Sequence, residues 1–206
     1  IVGNYLYTVD AHSLRVFDIT DPSQPKGGGV ISAGFDIQTI FPYKDKLYLG
    51  SAEGMFIFSL ADPANPVKEG SIAHFRACDP VVANDSVSYV TLRSTGGSCG
   101  STKNELMVYD SRVATNPQLV TEVAMNSPFG LGLNGNALYV CEGSNGLTVF
   151  DLSDPWHPAK KQTLSDEAYY DVIPYGNVLI AYIDAGVAFF DVSDPLKITK
   201  AGELKN

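Results

Sequence analysis

Between clusters of Gly, Pro, Asn and Asp, the chain is filled by short runs in which apolar residues alternate with polar ones or stand side by side. Starting at Asp36, DIQTIFPY, KLYLGS, MFIFSL and VKEGSIA follow one another, separated by turns at Lys44–Asp45, at Glu53–Gly54 and at the ADPANP segment. Each run has the length and period of a strand, and the Gly, Pro and Asp residues between them supply turns. The same succession returns as FGLGL, ALYVCE, LTVFDL and AKKQTL from Phe129, and as YDVIPY, NVLIAY, VAFFDV and ITKAGEL from Tyr170. No stretch carries a 3.6-residue stripe long enough for a substantial helix.

The third run of each set ends in an acidic or small polar residue and a tight turn: FDITDP (17–22), FSLADP (58–63), YDSRVATNP (109–117), FDLSDP (150–155) and FDVSDP (190–195). Asp18, Ser59, Asp110, Asp151 and Asp191 set the register, in steps of 41, 51, 41 and 40 residues. Four strands in about forty residues make one blade of a β-propeller. The prediction is all-β: a five-bladed propeller of four-stranded blades, the first lacking most of its inner strand. Repeats share a continuous core, so residues 1–206 read as one domain with blades at about 1–34, 35–76, 77–126, 127–167 and 168–206.

In such a ring the first strand of each blade, A, lines the central channel. Interblade links and B-to-C turns then share one face, called the top, and A-to-B and C-to-D turns share the bottom. The Asp-Pro turns thus fall on the bottom, where Pro presets φ and the preceding Asp accepts a backbone N–H. A calcium loop would need a Gly and a terminal Glu that these acids lack.

A net charge of −9 and a pI near 4.6 exclude a nucleic-acid backbone or an anionic membrane surface as partner, since the basic residues are scattered. The longest apolar runs, such as VLIAYI from Val178, fall far short of the roughly 20 residues that span a bilayer. The opening IVGN reads as the tail of an inner strand, and hence as the ordered part of a longer precursor whose export signal or lipid anchor lies outside it.

Blade three departs from the rest: its B-to-C connection, Ser94 to Glu105, carries ten extra residues. Cys99 lies in that loop and Cys78 at the start of strand A of the same blade, both on the top face. A Cys78–Cys99 disulfide, with Cys141 a packed free thiol, would place the protein in an oxidising compartment. Three reduced cysteines in a cytosolic protein are the competing reading. No metal site is expected, because there is no Cys-x-x-Cys and His12, His74 and His157 fall in separate blades. No cofactor is expected either.

The segments RACDPVVANDSVSYVTLRSTGGSCGSTKNELMVYD, GLGLNGNALYVCEGSNGLTVFDLSDP and YDVIPYGNVLIAYIDAGVAFFDVSDP resemble the LVIVD-repeat proteins. That family consists of predicted β-propellers, commonly exported lipoproteins of Gram-negative bacteria. The resemblance implies a five-bladed propeller behind a lipid anchor and flexible linker, at the outer membrane and cell surface or in the periplasm. It brings no catalytic residue set.

Two enzyme signatures occur by chance. Gly130-Leu-Gly132-Leu-Asn-Gly135 runs into a hairpin turn and another strand, not the helix that would hold a pyrophosphate. Gly96-Gly-Ser98-Cys-Gly100 sits in a polar loop without a strand-to-helix elbow. The stronger enzymatic alternative is a glycoside hydrolase with Asp79 and Asp171 at the channel mouth, since two carboxylates on different blades are the minimum for acid and base roles. Inner-strand acids that tie neighbouring backbone are the plainer reading. The functional expectation is a non-enzymatic scaffold that binds a protein partner through its top face, as an accessory of an outer-membrane transport or secretion complex. Its contact residues would be Phe35, Asp36, Thr39, His74, Arg76, Phe129, Tyr169 and Tyr170.

Overall fold

The computed structural model describes residues 1–73, 80–94 and 103–205. Its elements are strands throughout, arranged in five antiparallel sheets in chain order. Blade one holds β1 (Tyr5–Val9), β2 (Ser13–Asp18) and β3 (Lys26–Ser32). Blade two holds β4 (Ile37–Tyr43), β5 (Lys46–Ser51), β6 (Gly54–Ser59) and β7 (Val67–Ala73). Blade three holds β8 (Val81–Ala83), β9 (Val87–Leu92), β10 (Glu105–Asp110) and β11 (Gln118–Ala124). Blade four holds β12 (Leu131–Asn134), β13 (Ala137–Cys141), β14 (Leu147–Asp151) and β15 (Ala159–Leu164). Blade five holds β16 (Tyr169–Tyr175), β17 (Val178–Ile183), β18 (Gly186–Asp191) and β19 (Thr199–Lys205).

These are the five blades of a β-propeller, with the first short of its inner strand. Only the end of that strand is present: Val2 and Tyr5 exchange backbone hydrogen bonds of 3.0 and 3.1 Å around Gly3, whose φ is +55°. The same inner hairpin recurs around Lys44, Gly135 and Gly176, each at a φ between 52 and 59°. Left-handed backbone at this turn matches the twist of the strands it joins, which is why Gly fills most of the positions.

The bottom turns are built as their sequence implies. Asp151 accepts from the Ser153 amide and hydroxyl, Asp191 from the Ser193 amide, and Asp18 from the amide and hydroxyl of Thr20. The second acid of each turn repeats the device, with Asp62, Asp154 and Asp194 taking the amides of Ala64, Trp156 and Leu196. Each carboxylate is satisfied by its own turn. These hydrogen bonds hold Asp18, Asp62, Asp151 and Asp191 below the usual Asp range.

Four apolar cores lie between consecutive blades, from Leu14 and Phe58 between blades one and two to Tyr139 and Phe190 between blades four and five. A tyrosine on the second strand of the blade fastens each of three such junctions. Tyr7 donates to the carbonyl of Pro63 at 2.7 Å, Tyr89 to Pro155 at 2.7 Å and Tyr139 to Pro195 at 3.0 Å. Every clasp runs from one blade to the bottom turn of the next. Blade three has Ala114 where the others have this proline, and there Tyr48 faces Ser88 and Ser111 instead. Sequence reasoning missed these tyrosines, although Tyr7, Tyr48 and Tyr89 are spaced 41 residues apart.

Candidate functional site at the top of the channel

Strands β4, β8, β12 and β16 surround a central cavity of about 460 Å³, lined by residues that include Thr39, Phe41, Val82, Leu133, Asp171 and Pro174. Its wall is mainly apolar. Among the described residues, Asp171 is the one acid that lines it. Asp171 is open to the channel solvent, but the surrounding wall withdraws water from its carboxyl and raises its pKa above the usual Asp value. Its Oδ1 accepts from the Val172 amide at 2.9 Å and lies against Gly130 of blade four, where a Cβ would stand 2.0 Å from it. The carboxylate ties its own strand and fills the space that Gly130 leaves.

Asp79 falls outside the described residues, so the separation of the two carboxylates has no value here. His74, Arg76, Cys78 and Cys99 also fall outside them, and with these the expected disulfide and most of the blade-three loop.

The remaining candidates divide into two groups. On blades one and two, Phe35 is half-exposed and lies 5.3 Å from the His12 ring, while Asp36, at a φ of +49°, accepts from the Gln38 side chain at 3.2 Å. On blades four and five, Phe129 and Tyr170 meet edge to face with centroids 5.1 Å apart. Tyr169 does not join them. It is fully buried, its hydroxyl donating to Asp166 at 2.8 Å, and burial drives its pKa far up. Consecutive strand residues point to opposite faces, so only one of this Tyr pair can reach the surface, and the expectation that both do is corrected.

One contributor had been missed. The Arg93 guanidinium of blade three lies 3.8 Å over the Phe129 ring. With Tyr182 behind Tyr170 at 5.9 Å, the four side chains form a row across three blades: Arg93, Phe129, Tyr170 and Tyr182. Phe129 and Tyr170 are held in place by their surroundings. The Thr91 hydroxyl donates to the Phe129 carbonyl at 2.8 Å, the Phe129 amide donates to the Cys141 carbonyl at 2.7 Å, and Gly143 leaves the room that its ring occupies. Tyr170 hydrogen-bonds to Asp184, which raises the Tyr170 pKa. Arg93 is partly desolvated, which lowers its own. An Arg stacked on a part-exposed aromatic ring is a pre-ordered contact surface for planar or apolar groups of a partner.

Below this row, Glu142 is buried and satisfied. It accepts from the Asn126 amide at 2.8 Å, the Asn126 side chain at 3.2 Å and the Thr148 hydroxyl at 2.8 Å. That network fixes the link from blade three to blade four, which carries Phe129. Cys141 beside it is free and fully buried, and desolvation pushes its thiol well above the ordinary cysteine range. Among the described residues no cluster of His, Cys, Asp and Glu could hold a metal ion, and no helix is long and apolar enough to cross a membrane.

Comparison with known proteins agrees with this architecture. The LVIVD repeat model matches residues 1–28 and 130–166, which are most of blade one and the bulk of blade four. The chain is a β-propeller that carries LVIVD repeats over these residues. No curated protein matches it. Among solved structures, the LVIVD chain superposes on a protein from Lactobacillus plantarum with a TM-score of 0.72 at 15% identity, covering 98% of this chain and 65% of that one. On PpgL, a periplasmic gluconolactonase of Pseudomonas aeruginosa, the TM-score is 0.73 at 13% identity, with coverage of 98% and 68%. On AztD of Citrobacter koseri it is 0.67 at 11% identity, with coverage of 96% and 58%. At these identities the likeness is one of fold. The LVIVD propeller thus spans less than two thirds of the Lactobacillus and Citrobacter chains.

Proposed function

We propose that this LVIVD propeller is a non-enzymatic binding scaffold outside the cytoplasm, which engages a protein partner through the top face of blades three to five. The observation that carries this reading is the pre-ordered row of Arg93, Phe129 and Tyr170, with Tyr182 behind it, at the top-face ends of the strands. Rigid aromatic rings and a stacked Arg lose little entropy on binding and are the residue types that dominate protein contact energies. Phe35 and Asp36 extend the same face, and the sequence adds the link at 74–79 and the loop at 94–105, which lie wholly or mostly outside the described residues. An exported location is supported by the Cys78–Cys99 pairing that the sequence favours and by the fold shared with a periplasmic protein. The finer form of the proposal is a surface lipoprotein seated on an outer-membrane transport or secretion complex.

Asp171 does not favour the carbohydrate-active alternative, because its carboxylate is engaged with its own strand and packed over Gly130.

The test is affinity purification from native membranes. A protein partner should be retained by the unaltered chain and lost with Phe129→Ala combined with Tyr170→Ala, and also on shortening residues 95–103 with Cys78→Ser. Retention by both variants, with loss on altering the bottom-face turns at Asp154 or Asp194, would place the contact on the opposite face. Retention by every variant would refute a top-face scaffold.

A further inference from the structure

The five blades do not meet end to end. Inner strand β16 packs on β12 of blade four, but among the described residues no substantial contact joins any strand of blade five to blade one, and no apolar core lies between them. The side of blade five that faces away from blade four is nevertheless apolar. Tyr182 is 56% exposed, Ile173 60%, Tyr175 77% and Val178 39%.

The composition of that side is not arbitrary. Strand pairing aligns β17 and β18 with β13 and β14, so that Val178, Ile180, Tyr182, Val187 and Phe189 take the places of Ala137, Tyr139, Cys141, Leu147 and Val149. In blade four those five residues are buried in the core against blade five. Blade five thus presents, residue for residue, the set that its predecessor buries, with the acids Asp171 and Asp191 at its margins as the partners of Tyr182 and Val178. An apolar sheet face of this size is not left to water. Blade one offers the opposite half: Leu6 and Phe17 stand where blade two buries Leu47 and Phe58.

We propose that the open face of blade five is an interblade face covered by a further four-stranded blade of the same repeat, so that residues 1–206 are five consecutive blades of a larger ring. Curvature sets the size of the gap. Nearly the whole chain superposes on the Lactobacillus and Pseudomonas structures while spanning 65% and 68% of them. Five blades at that share leave room for about two or three more of equal length. A second copy of this chain would bring five blades to that gap, which is too many. The new blade would cover Phe189 and the outer side of Tyr182, leaving Arg93, Phe129 and Tyr170 on the top face with Tyr182 as their buttress.

The experiment compares the protein isolated from its source with a chain of residues 1–206 by native mass and by hydroxyl-radical labelling of Tyr182 and Phe189. The source protein should be a monomer heavier than 22.1 kDa by at least two repeats, with both residues protected to the level of Tyr139, whereas the 1–206 chain labels at both. Tyr182→Lys should lower the melting temperature of the source protein and leave that of the 1–206 chain unchanged. Labelling of both residues in the source protein overturns the proposal whatever its mass. So does protection in an assembly of two 22.1 kDa chains, which would make the occupant a second copy.

Discussion

The hydroxyl of Tyr139 donates to the carbonyl of Pro195 at 3.0 Å, fastening the second strand of blade four to the bottom turn of blade five. Burial of the phenol pushes its pKa up to about 12, so the group remains a neutral donor throughout the range in which proteins are handled. Removing it strands a carbonyl at a blade junction. Tyr139→Phe should cost about 1 kcal/mol of stability, seen as a lower urea midpoint with an unchanged slope. An unchanged midpoint would show that the clasp is geometric and not energetic.

Gly130 lets the inner strands of blades four and five approach closely, because any Cβ there would fall 2.0 Å from Asp171 Oδ1 and 2.8 Å from its Cα. Gly130→Ala should destabilise by about 1–3 kcal/mol as the strands are forced apart. Pairing it with Asp171→Gly should recover part of the loss. A double variant as unstable as the single one would show that the backbone, not the carboxylate, is what Gly130 accommodates.

The turn acids and Asp171 respond to pH in opposite senses. Asp18, Asp151 and Asp191 have depressed pKa values in the folded chain, so their contribution is complete above the ordinary Asp value of 3.8 and is lost as the pH falls through their folded values. Melting temperature should therefore drop steeply on acidification below about pH 4. Asp171 is raised, so it favours the folded state at low pH and opposes it once ionised. Asp171→Asn should raise the melting temperature at pH 7, and the gain should vanish at pH 3. A gain that persists at pH 3 would rule out desolvation of the carboxylate as its source.

Cys141 should resist alkylation in the native protein, being buried with its thiolate form disfavoured. After unfolding without reductant, one alkylatable thiol is the outcome if Cys78 and Cys99 are bridged. Three would remove both the bridge and its argument for export. Closing a loop of about 20 residues stabilises by roughly 3 kcal/mol on the chain-entropy model, so Cys99→Ser should lower the melting temperature of the bridged protein.

The blades were legible in the sequence because their markers are local. An Asp or Ser caps its own turn within two or three residues, so Asp18, Ser59, Asp110, Asp151 and Asp191 announce the period without any knowledge of the ring. The truncated first blade could be read from IVGN for the same reason. The candidate site was legible only in part. Phe129 and Tyr170 stand where strands begin, but Tyr169 is assigned to the core by a bulge in the pairing of β16 with β17, and no count of residues reveals that. Arg93 came into the site through a cross-blade contact with Phe129, 36 positions away in the chain. The openness of the ring was likewise hidden, since curvature arises from how blades lean on one another and not from any one blade.

The tyrosine clasps have a polarity. Each leaves one blade and lands on the next, with no symmetric counterpart running back among the described residues, so the junction is head-to-tail and has no natural stopping point. A unit that joins its neighbours this way can be duplicated or deleted whole without inventing a new contact surface, because every copy arrives with both halves of the joint. Blade number is then set by the curvature at which the last unit meets the first. Ile180 stands in the clasp position of blade five, so a further blade packed there would meet no tyrosine hydroxyl. A seam held by apolar packing alone is the place where a closed circle of such units would first come apart under load.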